Sequence, residues 1–134
     1  MTDKPIVLPE LSYKIMGALF AVHNELGSSL LEKYYQRAIA KEFDNQKIAY
    51  KREISVALTY KEEPIGKYIL DFIVENQIIL ETKAQVAYSP KFFKQALAYL
   101  VETNLPLAIL VNFRNPRLQY KRIVNSVDHS RPLV

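Results

Sequence analysis

At 134 residues the chain is long enough for one domain with a real core and too short for two comfortable ones. Its 49% hydrophobic and 24% charged residues suit an ordinary globular protein, and the lack of cysteine excludes disulfides, thiolate zinc sites, iron–sulfur ligation and a cysteine nucleophile. A net charge of +4 is compatible with a nucleic-acid partner without requiring one.

Residues 1–10, with Pro5 and Pro9, read as an extended N-terminal arm, and they lack the long apolar core and cleavage site of a signal peptide. Ile15, Leu19, Val22 and Leu26 then recur at helical spacing and predict a helix over residues 11–25. Gly27, Ser28 and Ser29 break that pattern. A second helix is expected over 30–45, with Leu31, Tyr34, Tyr35, Ala38, Ile39 and Phe43 on its apolar side. Strands are expected over 53–60, 67–75 and 78–83. In the first, Ile54, Val56 and Leu58 alternate with Ser55 and Ala57. Lys61 to Pro64 and Glu75 to Gln77 mark the intervening turns. Ser89 and Pro90 supply an N-cap and a first-turn proline for a helix reaching Thr103. The continuous apolar run 105–111 reads as a buried strand and is far too short to span a bilayer. Residues 117–127 are expected to form a short final helix. The pattern predicts one α/β domain over 11–134: a mixed four-stranded sheet flanked by helices, in the order α-β-β-β-α-β. A cytoplasmic protein with no membrane partner is expected.

Chemistry concentrates in the second and third strands. Side chains two apart share a face, so Glu81 and Lys83 sit together. If the two strands pair as a hairpin, Asp71 comes close to Glu81. Two carboxylates beside an ammonium suit metal-assisted hydrolysis of a phosphodiester. Mg2+, or Mn2+ in its place, takes oxygen ligands, which Asp71, Glu81 and the backbone carbonyl of Thr82 can provide. Lys83 would either stabilise charge developing on phosphorus or help deprotonate the attacking water. The competing reading is a weak, solvated edge-strand ion pair. Against it, Ile78, Ile79 and Leu80 precede Glu81, while Ile69, Leu70, Phe72 and Ile73 surround Asp71. Burying charge in so apolar a setting is costly.

Gln95 and Tyr99 lie one helical turn apart; Gln95 suits a water or phosphate oxygen, and Tyr99 suits packing. Lys91 and Lys94 read as solvated helix charges. His23 and His129 lack metal-type spacing, and the three glycines form neither a P-loop nor a dinucleotide fingerprint. Arg114, Arg117, Lys121, Arg122 and Arg131, interleaved with Phe113 and Tyr120, form either a solvated end or a phosphate-contacting surface.

An ordered series of short motifs adds to this reading. It comprises His23-Asn24-Glu25-Leu26-Gly27, Leu30-Leu31-Glu32-Lys33-Tyr34-Tyr35, Tyr68-Ile69-Leu70-Asp71 and Ile79-Leu80-Glu81-Thr82-Lys83. Gln95 to Leu100, Leu110 to Phe113 and Lys121 to Ile123 complete it. By these motifs the chain resembles the GxxExxY protein family, a compact branch of the PD-(D/E)xK nuclease-like superfamily. The resemblance implies a restriction-endonuclease-like core, with Asp71, Glu81 and Lys83 as the active-site signature and Glu32 as an additional acid. It implies a nuclease-like site; the expected partner is DNA or RNA, met by a monomer, a homodimer or a member of a larger nucleic-acid complex. The main alternative is a non-cleaving binding or regulatory module that keeps the fold, and a third reading is a structural homodimer with only vestigial site charges. Ser29 replaces the glycine that names the motif, which predicts a different path for the loop before Glu32. Ser29 and Glu32 also have capping-box spacing, giving Glu32 a structural alternative at a helix N-terminus.

Overall fold

A computed structural model describes residues 6–87 and 89–125. Helix α1 (Pro9–Leu26) starts two residues before the sequence suggests, because Pro9 occupies its first turn, where the missing N–H costs nothing. Residues 9 and 10 therefore belong to the helix, and 1–5 of the expected arm lie outside the described residues. Gly27, at φ 77°, ends the helix with its N–H donating to the His23 carbonyl. Helix α2 (Glu32–Asn45) buries Tyr35, Ile39 and Phe43, each one turn apart. Its N-cap is Leu31, without a side-chain cap, so Glu32 opens the helix and the capping box does not form. The loop before it is tied by Tyr35, whose hydroxyl donates to the Gly27 carbonyl at 2.7 Å and accepts from the Leu30 N–H. Ser29 needs no positive φ there.

Five strands form one sheet in the order β1-β2-β3-β4-β5. They are β1 (Tyr50–Tyr60), β2 (Glu63–Val74), β3 (Ile78–Lys83), β4 (Leu107–Asn112) and β5 (Gln119–Val124). The β1–β2 and β2–β3 turns place Lys61, Glu62, Glu75 and Asn76 at positive φ, the geometry that tight hairpins require. Helix α3 (Pro90–Thr103) is capped by the Ser89 side chain, as expected, and ends on Asn104 in the left-handed region. It carries the chain from β3 to β4, and this crossover makes that pair parallel while every other pair is antiparallel. β4 begins at Leu107 because Pro106 has no N–H to donate.

The expected helix over 117–127 is replaced by β5, so the sheet has five strands rather than four. Residues 126 and 127 lie outside the described residues. β5 pairs along the whole of β4, from Leu107 with Val124 to Asn112 with Gln119. Without it, the fully buried β4 would leave a row of backbone groups unpaired.

Helices α1 and α2 pack on one sheet face against Phe72, Val74, Ile78, Leu80, Leu107 and Ile109. Helix α3 packs on the other, over Leu70, Ile79, Ala108, Leu110 and Ile123. β3 and β4 are thus covered on both sides, which explains their unbroken apolar runs. No helix among the described residues is long and apolar enough to cross a membrane.

Candidate active site

The β2–β3 ladder stops at Phe72 opposite Leu80, one step short of the two acids. Beyond it, side chains take over the role of backbone carbonyls. The Asp71 N–H donates to Glu81 Oε1 at 2.9 Å, and the Thr82 N–H donates to Asp71 Oδ2 at 2.8 Å. The Thr82 hydroxyl donates to the same oxygen at 3.0 Å. A strand residue sends its N–H and C=O to the same side, so the Thr82 carbonyl also faces the gap beside Asp71.

The other edge of β2 loosens at the same point. Arg52 pairs with Phe72 and Ile54 with Leu70 in one register, but the ladder skips Glu53, which stands between them at φ 53° opposite Asp71; the register shift of this strand pair lies further on, between Leu58 and Thr59. Leu70 and Phe72 are two apart, yet they pack in opposite core clusters. The strand therefore coils sharply at Asp71.

Glu81 is 4% exposed and Thr82 is fully buried, while Asp71 and Lys83 are half-buried. Burial pushes the Glu81 carboxyl up from 4.5 to about 8, and the neighbouring Asp71 charge adds to the rise. The Asp71 N–H and the Lys83 charge oppose it more weakly. Glu32 is also raised, first by burial and then by Asp71, with Lys83 acting against both. The buried Tyr99 hydroxyl is raised by burial, then by the charges of Glu81 and Asp71, so its side chain borders the acids while packing as expected. Lys83 Nζ donates to Gln95 Oε1 at 3.4 Å and lies 4.6 Å from the centre of the Phe92 ring, whose face favours a cation.

The fold thus gathers Asp71, Glu81, Thr82 and Lys83, and brings Gln95 to them through Lys83. Glu32 joins at one remove. Gln36 Nε2 donates to Thr82 Oγ1 at 2.8 Å and to Glu32 Oε1 at 3.4 Å, linking α2 to the strand pair. Sequence reasoning missed Gln36, although its position one helical turn after Glu32 was a usable signal. It also missed Phe92 as a seat for Lys83. Among the described residues no group of three or more His, Cys, Asp or Glu side chains has metal-site spacing, so Glu32 does not complete a three-acid cluster. The donors that are present fit a hard divalent cation: two carboxylates, one of them held against its own ionisation, and a carbonyl facing the same gap.

His23 is buried, with Nε2 2.9 Å from the Asn115 carbonyl oxygen. His129 and Arg131 lie outside the described residues. Arg122 departs from the expected basic surface: its guanidinium donates to the Val7 carbonyl and the Ser12 hydroxyl, tying β5 to α1. Arg114, Arg117 and Lys121 remain exposed.

Residues 9–123 match a family model described as the PD-(D/E)XK nuclease superfamily. No curated protein matches the chain.

Proposed function

The chain belongs to the PD-(D/E)XK nuclease superfamily, and on that premise we propose that it hydrolyses phosphodiester bonds of DNA or RNA in a metal-dependent reaction. Within the superfamily we assign it to the GxxExxY family, on Gly27, Glu32 and Tyr35. The observation that carries the reading is the pair of bonds at the end of the β2–β3 ladder, from the Asp71 N–H to the Glu81 carboxylate and from the Thr82 N–H to the Asp71 carboxylate, with Lys83 on the face of Glu81.

Asp71, Glu81 and the Thr82 carbonyl would hold the cation, Mg2+ or Mn2+. When bound, it supplies Lewis acidity and lowers the pKa of a coordinated water. The protein's own groups do the rest. The Thr82 N–H and hydroxyl fix the Asp71 carboxylate through its Oδ2. Gln36 donates to the Thr82 oxygen and so turns the Thr82 proton toward Asp71. Lys83, seated on Phe92 and bonded to Gln95, presents an ammonium to the phosphoryl oxygens, whose charge grows in the transition state. Gln95 orients that ammonium and contacts the substrate phosphate. Glu32 adds an auxiliary acid through Gln36. We place the enzyme in the cytoplasm as a single nuclease-like domain over 11–134, to which helix α1 adds residues 9 and 10.

The test is a cleavage assay on single- and double-stranded DNA and RNA with Mg2+ and Mn2+, run beside Lys83→Ala. Metal-dependent cutting that Lys83→Ala abolishes is the expected result. Nucleic-acid binding with no turnover in either protein would identify a non-cleaving module instead.

A further inference from the structure

Two adjacent rings at the start of α3 each carry a lysine, on different sides of the helix. Phe92 seats Lys83 at 4.6 Å, within the candidate active site. Phe93 seats Lys121 of β5 at 4.7 Å. Around Phe93 opens a groove of about 740 Å³, floored by Leu110 and Leu118 and edged by Lys94 and Lys121. That volume suits one nucleotide-sized ligand. Among the described residues the lining carries two ammonium groups and no acid, the complement of a phosphate chain.

The groove lies at the same end of the sheet as the acids. Lys83, Asn112 and Gln119 are register partners across β3, β4 and β5, and Gln119 lines the groove. Two interstrand steps, about 10 Å, therefore separate the Lys83 backbone from the groove wall. That is roughly the length of three phosphates along one stacked strand.

We propose that this groove binds an unpaired nucleotide of the nucleic-acid strand being cut, stacking its base on Phe93 and pairing its phosphates with Lys94 and Lys121. The proposal rests on the nuclease reading and specifies its substrate as a strand that is single-stranded beside the scissile bond. In the free protein Lys121 covers the Phe93 ring. An exposed cation–ring contact is weaker than base–ring stacking, so an arriving base displaces the ammonium, which then meets the phosphate. A duplex cannot enter in this way, because its bases are already stacked and paired.

Fluorescence anisotropy without metal tests the groove separately from turnover. The probes are a labelled single-stranded 12-mer, a blunt duplex of the same length, and 12-mers carrying one abasic position. Phe93→Leu, which keeps an apolar filler, should lose about five- to hundredfold in affinity for the single strand. It should lose less than about threefold for the duplex, and Phe93→Tyr should restore binding. One abasic position should cost the wild type as much as Phe93→Leu does, with no further loss when the two are combined. Lys94→Gln with Lys121→Gln should lower the salt slope by roughly 1.4 to 1.8. Equal single-strand affinity for wild type and Phe93→Leu overturns the proposal, as does equal loss on single strand and duplex. Saturation by adenosine monophosphate with no oligonucleotide binding overturns it too. Metal-dependent cleavage beside any of those results leaves the nuclease reading standing without the groove.

Discussion

Glu81 shows most directly what the site asks of single residues. Its carboxyl is raised from 4.5 to about 8, so between those values the folded protein holds a proton that the unfolded chain releases. Stability is then greatest below about pH 4.5 as far as this group is concerned, and it falls as pH rises toward 8. Glu81→Gln should remove that slope. Urea titrations at pH 5 and 8.5 should show the wild type losing on the order of a few kcal/mol more than the variant. Cation binding requires the ionised form, so Mn2+ affinity measured by calorimetry should climb from pH 6 to 8 in wild type. Asp71→Asn should weaken that binding and raise the stability of the metal-free protein, because Asp71 is one cause of the Glu81 rise. The acids and Lys83 were legible from the period of two along a strand. Gln36 was harder to find, since it meets Thr82 across 46 residues, a contact that only the packing of α2 on the sheet creates.

At the scale of elements, most strands and helices follow from apolar spacing, and the departures have local causes. Residues 119–124 carry strand-favouring Tyr120, Ile123 and Val124 beside charges typical of a helix surface. Pairing with an otherwise open β4 decided between them. The irregularity at Glu53 left no trace in the sequence, because glutamate gives no signal for positive φ and the strand continues back to Tyr50. It predicts an unusual response. Glu53→Gly should raise stability by roughly 1 kcal/mol by relieving the left-handed conformation, and Glu53→Val should lower it, both read from urea midpoints. Activity should follow the position of Asp71, so Glu53→Gly should cut nucleic acid at near wild-type rate.

For the whole molecule, the expected mixed sheet flanked by helices is present, two helices on one face and one on the other being what the structure adds, and the superfamily match covers residues 9–123. The basic C-terminal segment was only partly legible, since its residues divide between the two faces of β5. Lys121 lies over Phe93 on the α3 side, whereas Arg122 reaches α1. Their substitutions should therefore differ in kind. Arg117→Gln with Lys121→Gln should weaken nucleic-acid binding and flatten its salt dependence while leaving the urea midpoint nearly unchanged. Arg122→Gln should lower the midpoint, because it frees β5 from α1. Lys83→Ala should keep most binding and lose most turnover.

The tight turn at Glu75 and Asn76 sets Asp71 and Glu81 only ten residues apart along the chain, whereas β3 reaches β4 through a crossover from Lys83 to Leu107. Folding closes short loops sooner than long ones, so the hairpin with both acids is expected to precede the parallel pairing and the docking of α3. Until that docking, Glu81 remains in water and ionised at neutral pH. The last stage of assembly then draws a proton from solution. Refolding in weak buffer with an indicator dye should show alkalinisation in the slow phase, absent from Glu81→Gln, so the completion of this fold announces itself as a change in pH.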